Sequence, residues 1–203
     1  LNLGAGRIVY QELQRINKAI TDGELAQNTT LRNSFQYAIE HKKPLHLLGL
    51  VSDGGVHAHI EHLIALVNIA HQAGVQEIFI HAFTDGRDTD PKSGKGFLTQ
   101  LEHSIAGKAK IASVSGRYYA MDRDKRWERV KLAYDALIQA TGQTAANALQ
   151  AIESAYAANI TDEFILPTVI VDEQGKALTK IKSQDAVICF NFRTDRCLSL
   201  IHI

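Results

Sequence analysis

The run "LHLLGLVSDGGVHAH", residues 45 to 59, joins an apolar stretch to a polar loop that contains two glycines and two histidines. Near-continuous apolar character over its first seven residues predicts a strand that is buried on both faces, as in a parallel sheet. The glycines that follow allow the backbone to turn sharply or to approach a ligand closely. The run therefore predicts a buried strand whose carboxyl end opens into a binding loop.

Three further runs have strand length and the same apolar character: "EIFIHAF" at 77 to 83, "KIASVS" at 110 to 115 and "AVICFNF" at 186 to 192. Apolar residues also recur at helical spacing on five segments, which begin at Val9, Leu31, Ile60, Trp127 and Ala145. Because strands and helices alternate, the predicted fold class is α/β. We expect a mainly parallel sheet with helices on both faces.

The segment "FILPTVIVD", residues 164 to 172, adds further strands or an edge hairpin to this prediction. Pro167 has no N–H group to donate to a neighbouring strand, which argues against a central position in the sheet.

Composition excludes several classes of protein. The chain has 203 residues, 45% of them hydrophobic, which suits one large domain with a buried core. Lys+Arg and Asp+Glu both number 22, so no global field attracts nucleic acid or an anionic membrane. The sequence has neither a membrane-spanning apolar run nor the pattern of a signal peptide. We therefore expect a cytoplasmic protein without a nucleic-acid or membrane partner, and its two cysteines to be reduced thiols.

Each of the four strong strands is followed by a polar cluster. Loops at the carboxyl ends of parallel strands converge, so these clusters are expected to share one pocket. Arginine predominates among their side chains, and its planar fork of donors pairs with phosphate or carboxylate. The sequence therefore predicts a site for a small, multiply charged anion, formed by His57, Arg87, Asp88, Arg117, Arg123, Arg193 and Arg196.

Some of these polar residues have other interpretations. The basic run that follows Arg123 alternates with acidic residues, which is typical of a solvated helix face. Trp127 lies among those charges and could stack on a nucleic-acid base, but it also fits the apolar face of a helix, where we expect it to pack in the core. His57, His59 and His62 could form a metal site, although no compact ligand set is complete. We favour His57 as a hydrogen-bond donor to the anion.

Two roles are possible for Asp88. Beside Arg87 it could be an ion-pair partner or a turn-forming residue. Among several arginines it would stay ionised, and could hold a substrate hydroxyl or relay its proton.

Four motifs, "SDGGVHAHIEHL", "HAFTDGRDTDP", "SVSGRYYAMDRDKRWERV" and "FNFRTDR", closely resemble in order and spacing the cofactor-independent (2,3-bisphosphoglycerate-independent) phosphoglycerate mutase family. The resemblance runs from "LNLGAGR" to Arg196. It implies a two-domain isomerase of the alkaline phosphatase superfamily, which interconverts 3-phosphoglycerate and 2-phosphoglycerate in glycolysis and gluconeogenesis. The family needs no 2,3-bisphosphoglycerate.

The resemblance also implies the role of each domain in such an enzyme. One domain holds two Mn²⁺ ions and a serine that takes the phosphoryl group, and the inserted domain binds the glycerate. Residues 1 to 196 resemble the inserted domain, whereas residues 197 to 203 form an atypical tail. The metal ligands and the serine would then lie outside this chain, which we expect to be a monomer and inactive alone.

By motif, the seven residues named above resemble the substrate-binding residues of the family, and Asp88 is the candidate for proton transfer at the glycerate hydroxyls. Two alternatives remain open. The chain could be the cap domain of a related metal-dependent phosphatase or phosphopentomutase, or an anion-binding module without chemistry.

Overall fold

The computed structural model describes residues 11–193, 195 and 200. Helices and strands alternate along this part of the chain. In chain order they are α1 (Glu12–Thr21), α2 (Thr29–Glu40), β1 (Leu45–Leu50), α3 (Ile60–Gln72), β2 (Ile78–Thr84), α4 (Gly94–Ile105), β3 (Lys110–Gly116), α5 (Arg117–Ala120), α6 (Trp127–Ile138), β4 (Gln143–Ala145), α7 (Ala148–Ala157), β5 (Thr168–Ile170) and β6 (Ala186–Cys189). Short 3₁₀ turns occur at Leu25–Gln27 and Asp162–Phe164.

The strands form one sheet in the order β4-β5-β3-β2-β1-β6. Strands β6, β1, β2 and β3 are parallel to one another, β5 is antiparallel to β3, and β4 is parallel to β5. The predicted α/β class with a mainly parallel sheet is confirmed. The parallel half brings the carboxyl ends of four strands to one edge of the sheet, where the polar clusters begin.

The core lies at the centre of this sheet. Every residue of β1 and β2 is buried, so both faces of these strands are covered. Leu47 and Ile80 on the strands pack in the same core as Leu63 of α3 and Leu98 of α4. Within the described residues, no helix combines the length and the apolar character needed to cross a bilayer.

Asparagine side chains fix the start of two helices. The Asn28 side chain accepts a hydrogen bond from the Leu31 N–H at 3.1 Å, and that of Asn147 accepts one from the Gln150 N–H at 2.8 Å. Each bond satisfies a donor that the first turn of a helix leaves free. Helix α7 therefore begins at Ala148, and Ala145, expected on that helix, lies in β4 instead.

Strand β5 pairs on both sides, although Pro167 argued against a position inside the sheet. The proline stands one residue before the strand, where its missing N–H removes no ladder bond. Its carbonyl accepts a hydrogen bond from the Gln143 N–H at 3.0 Å and so helps to align β4.

Two other expectations are corrected. Trp127 is 44% exposed and not in the core, because it is the first residue of α6 and lies at the solvent end of the apolar stripe. Cys189 at the end of β6 is disulfide-bonded, so the expectation of a reduced thiol is wrong for this residue. Cysteine count and spacing do not determine which thiols approach each other in the folded chain.

Candidate functional site

The loops that follow β1, β2 and β6 contact one another at the carboxyl edge of the sheet. The Phe192 N–H donates a hydrogen bond to the carbonyl of His57 at 2.8 Å, which ties the loop after β6 to the loop after β1. A Cβ atom added to Gly54 would lie 3.2 Å from the Cβ of Asp88. Glycine therefore lets the loop after β1 pack closely against the loop after β2.

A buried ion-pair cluster joins the loop after β2 to the end of β3. Nη1 of Arg117 lies 2.6 Å from Oδ1 of Asp85 and 2.6 Å from Oδ2 of Asp88. The side chains of Arg117 and Asp85 are almost fully buried, whereas that of Asp88 is 22% exposed. The cluster therefore presents one of its two carboxylates, that of Asp88, to the solvent.

Asp85 organises the loop after β2. Its Oδ1 accepts hydrogen bonds from the backbone N–H groups of Arg87 and Asp88 at 3.2 and 3.0 Å, and its Oδ2 accepts one from the Ser52 hydroxyl at 2.7 Å. Burial disfavours the charged carboxylate, but these bonds and Arg117 outweigh burial and lower the pKa of Asp85. Asp85 is therefore a buried carboxylate that stays charged. It holds the backbone of the loop after β2 and the Ser52 side chain of the loop after β1.

Arg117 is held as a cation by the same contacts. Burial opposes its charge, but hydrogen bonds and charge attraction from Asp88 and Asp85 raise the pKa of the guanidinium. A guanidinium held between two carboxylates has a fixed orientation. We interpret Arg117 as a buried residue that holds Asp85 and Asp88 in place. Its assignment as a substrate-binding residue stays a prediction.

His57 lies on the other side of Asp88. Its Nε2 atom is 3.7 Å from Oδ2 of Asp88, the same oxygen that contacts Arg117, and the imidazole is buried. One oxygen of Asp88 is thus placed between a guanidinium and an imidazole. Both of these side chains therefore hold the same oxygen of a carboxylate that is partly exposed.

Three other arginines of the predicted set lie on the loops after β2, β3 and β6 and have largely exposed side chains. Nη1 of Arg87 lies 3.6 Å from Oε1 of Glu163. Nη1 of Arg123 and Nη2 of Arg193 lie 3.8 and 3.6 Å from the same oxygen, Oδ2 of Asp195. Arg196 lies outside the described residues. The loops after β3 and β6 are therefore brought together by a shared carboxylate.

The exposed arginines form loose ion pairs. Pairs of this length between solvated side chains contribute little to stability, typically below about 1 kcal/mol. An anionic ligand with several oxygens would therefore compete readily for the same guanidinium groups. We call the set Arg87, Asp88, Arg117, Arg123 and Arg193 with His57 the arginine rim.

The three histidines considered as a metal site have separate partners. His57 faces Asp88, the ring of His59 accepts a hydrogen bond from the Glu61 N–H at 3.2 Å, and Nε2 of His62 lies 2.7 Å from Oδ1 of Asn17. Burial, with the nearby His59, lowers the pKa of His62 to about 4. In the part of the chain that the structure describes, no group of three or more His, Cys, Asp or Glu side chains is placed to hold a metal ion.

Asp162, which the sequence analysis did not select, packs against the loop after β2 that carries part of the rim. Asp162 is buried, and its side chain accepts hydrogen bonds from the Gly94 N–H at 2.8 Å and the Tyr156 hydroxyl at 2.5 Å. A Cβ atom added to Gly86 would lie 2.9 Å from the Cβ of Asp162. Asp85 could have been selected from the sequence, because it lies in the motif "TDGRD" directly after a strand. Nothing in the sequence around Asp162 indicated its role.

Comparison with known proteins identifies the family of the chain. A family model described as "BPG-independent PGAM N-terminus" matches residues 16–203. The 2,3-bisphosphoglycerate-independent phosphoglycerate mutase of Thermomicrobium roseum is 55% identical over 202 residues, which cover 98% of this chain and 38% of that protein. The protein of the same name from Clostridium beijerinckii is 56% identical over 198 residues, covering 97% of this chain and 38% of that protein.

The fold is also similar to a solved structure. The match is to the structure described as "Crystal structures of Leishmania mexicana phosphoglycerate mutase at low cobalt concentration", with a TM-score of 0.90 and 33% identity. It covers 96% of this chain and 37% of that chain. The chain thus spans less than two fifths of the length of these relatives. With its four parallel strands, its arginine rim and a family match from residue 16 to residue 203, the chain belongs to the family of BPG-independent PGAM N-terminal domains.

Proposed function

We propose that this chain is the substrate-binding part of a 2,3-bisphosphoglycerate-independent phosphoglycerate mutase, an isomerase that interconverts 3-phosphoglycerate and 2-phosphoglycerate. The observation that carries the proposal is the position of Asp88, whose Oδ2 lies 2.6 Å from Arg117 and 3.7 Å from His57. The exposed arginines of the rim lie on the loops after three strands. Family membership and the names of the relatives support the same assignment.

The rim provides the charges that a phosphoglycerate needs. This molecule carries a carboxylate and a phosphate, and both pair well with the forked donors of arginine. In the proposal, Arg87, Arg123 and Arg193 hold these two groups. Asp88, kept in position by Arg117, accepts or returns the proton of a glycerate hydroxyl.

The proposed reaction has two linked transfers. The bond between the phosphorus and the first glycerate oxygen breaks as a serine oxygen gives up its proton and bonds to phosphorus, and that glycerate oxygen takes a proton. The glycerate then turns within the rim, its other hydroxyl loses a proton and attacks the phosphoserine, and the serine oxygen leaves and regains a proton. The contribution of this chain is to retain and orient the glycerate between the two steps.

Two Mn²⁺ ions and the serine belong, in this proposal, to the part of the enzyme outside this chain. Such ions would stabilise the charge that develops on the transferring phosphoryl group. The described residues do not offer a fitting ligand set for them. We further propose that residues 1 to 196 form one domain of a monomeric, cytoplasmic enzyme.

The proposal is tested in the full-length enzyme that contains this chain. Arg193→Ala should lower kcat/KM for 3-phosphoglycerate by about 10- to 100-fold, because a charge-assisted bond to the substrate is lost. Arg32→Ala is a matched control, since Arg32 is exposed on α2 and does not belong to the arginine rim. Equal activity of both variants and the wild type would remove Arg193 from the site. Release of free glycerate and phosphate as the main products of the wild type would instead indicate a phosphatase.

A further inference from the structure

A second charged cavity lies at the opposite edge of the sheet from the arginine rim. It has a volume of about 590 Å³ and is lined near the amino ends of β1, β2 and β6 by Pro44, Glu77 and Asp185. Five lysines line it as well: Lys42, Lys43, Lys176, Lys180 and Lys182. We call it the lysine cavity.

The lysines around this cavity are not neutralised by neighbouring carboxylates. The contact of Lys43 with Asp185, at 3.9 Å, is a long ion pair. Within residues 11–193, no carboxylate lies within ion-pair distance of the ammonium groups of the other four lysines. Because the whole chain has equal numbers of basic and acidic residues, this local excess is a feature of the cavity and not of the composition.

The acidic residues of the cavity offset only part of that charge. The Asp185 side chain is 2% exposed, and its Oδ2 accepts a hydrogen bond from the Lys182 N–H at 2.7 Å and lies 3.4 Å from Nε2 of His46. The Asp185 carboxylate lines the cavity but is almost fully covered, and Glu77 is the other acidic residue of the lining. The carboxyl ends of α2 and α6 also meet the cavity and contribute roughly half a negative charge each. About two positive charges remain in excess.

The segment that carries three of the lysines is held in place by backbone contacts. The Leu178 N–H donates to the carbonyl of Ile170 at 3.0 Å, and the Ile181 N–H to that of Leu137 at 2.9 Å. The Tyr37 hydroxyl donates to the carbonyl of Gln184 at 3.1 Å. These bonds fix the backbone that carries the lysines before any ligand arrives, which reduces the backbone entropy lost on binding.

We propose that the lysine cavity binds a small anion that carries several phosphate groups, at a site separate from the arginine rim. Lysine ammonium groups bind phosphate as mobile point charges, and several of them around one cavity suit a chain of phosphates better than a single carboxylate. The volume is that of an ordinary small-molecule site. The proposal is independent of the function assigned to the rim.

Inorganic tripolyphosphate is the probe, titrated into the protein and followed by calorimetry and by backbone amide NMR. We expect saturable binding that weakens as NaCl rises from about 50 to about 200 mM. The shifted amides should be those of Ala177, Leu178, Thr179 and Ile181, as distinct from those of the rim. The double variant Lys176→Gln/Lys180→Gln should weaken this binding at least about tenfold.

The matched control is Lys18→Gln/Lys131→Gln, which removes the same total charge from two exposed helix positions outside the cavity. The affinity of this control variant for tripolyphosphate should stay within about twofold of that of the wild type. The proposal is overturned if tripolyphosphate shifts only amides of the arginine rim, if no saturable binding occurs, or if the two double variants lose affinity equally.

Discussion

At the residue scale, the site depends on two aspartates with different surroundings. Asp85 is 1% exposed and satisfies two backbone N–H groups, a hydroxyl and Arg117, whereas the Asp88 side chain is 22% exposed and contacts Arg117 and His57. A buried carboxylate with four partners has a structural task. A partly exposed one beside a cation is available for chemistry.

This difference predicts that the same substitution affects mainly stability at Asp85 and mainly activity at Asp88. Asp85→Asn should lower the free energy of unfolding by about 3–5 kcal/mol, because Arg117 loses its buried counter-charge. Asp88→Asn should lower it by about 1 kcal/mol or less, yet reduce kcat of the full-length enzyme more than its KM rises. Urea unfolding and steady-state kinetics measure the two effects. Equal stability of the two variants would contradict the assigned roles.

At the element scale, helix α4 was not predicted from the sequence. Gly94 and Gly96 at its start weaken the intrinsic helix preference, and the helix is instead held by tertiary contacts. Leu98, Leu101 and Ile105 are buried in the core, and the Gly94 N–H donates to Asp162. A sequence read segment by segment contains no sign of that last contact, because Asp162 lies 68 residues away.

The two glycines of α4 should respond differently to alanine. A Cβ atom at Gly94 would lie 2.8 Å from Oδ1 of Asp162 and 2.9 Å from Cδ1 of Ile152, whereas one at Gly96 would meet no atom within 4 Å. We expect Gly94→Ala to destabilise the protein by about 1–3 kcal/mol through overpacking. Gly96→Ala should stabilise it by about 0.5–1 kcal/mol. Thermal unfolding of both variants checks the prediction, and a gain in stability from Gly94→Ala would contradict it.

At the scale of the whole molecule, a buried polar chain runs across the sheet below the rim. Nε2 of His46 lies 3.4 Å from Asp185, Nδ1 of His46 lies 3.0 Å from Nε2 of His81, and Nδ1 of His81 lies 2.8 Å from the Ser113 hydroxyl. One consistent set of protons has each imidazole neutral, with Ser113 donating to His81, His81 donating to His46, and the Nε2 proton of His46 facing Asp185. The chain connects β3, β2 and β1 to the residue before β6.

This polar chain predicts a loss of stability in mild acid. Burial, with the adjacent His46, lowers the pKa of His81 to about 3, and burial lowers that of His46 despite Asp185. The unfolded chain binds these protons near pH 6.5, so the unfolded state gains more protons as the pH falls from there toward 3. Stability is therefore complete above about pH 6.5 and lost below it, by up to about 1.4 kcal/mol per pH unit for each histidine.

Urea unfolding between pH 7 and pH 5 measures this loss. His81→Gln removes one of the titrating groups, so its stability should fall less steeply with pH, whatever its stability at pH 7. The pKa of His62 is also lowered, so this residue adds the same pH dependence of stability to the wild type and to the His81→Gln variant. An identical slope for the variant and the wild type would show that His81 is not kept neutral by the fold.

The sequence predicted most of the architecture but few of its internal contacts. Apolar runs located the four parallel strands, because strands buried on both faces have a strong signal. The same runs indicated which loops follow these strands, and the assignment of the arginines on those loops to one site stays a prediction. The supporting contacts of Asp85 and Asp162, the exposure of Trp127 and the histidine chain depend on residues that are distant in sequence, and periodicity carries no information about them.

The central claim is that the arginine rim binds one phosphoglycerate. Titrating the chain with 3-phosphoglycerate, while following the arginine side-chain N–H signals by NMR, tests it most directly. The account predicts saturable shifts of Arg87, Arg117, Arg123 and Arg193 with a common dissociation constant, and none for Arg32. Absence of shifts at the rim, or shifts of equal size at Arg32, would contradict it.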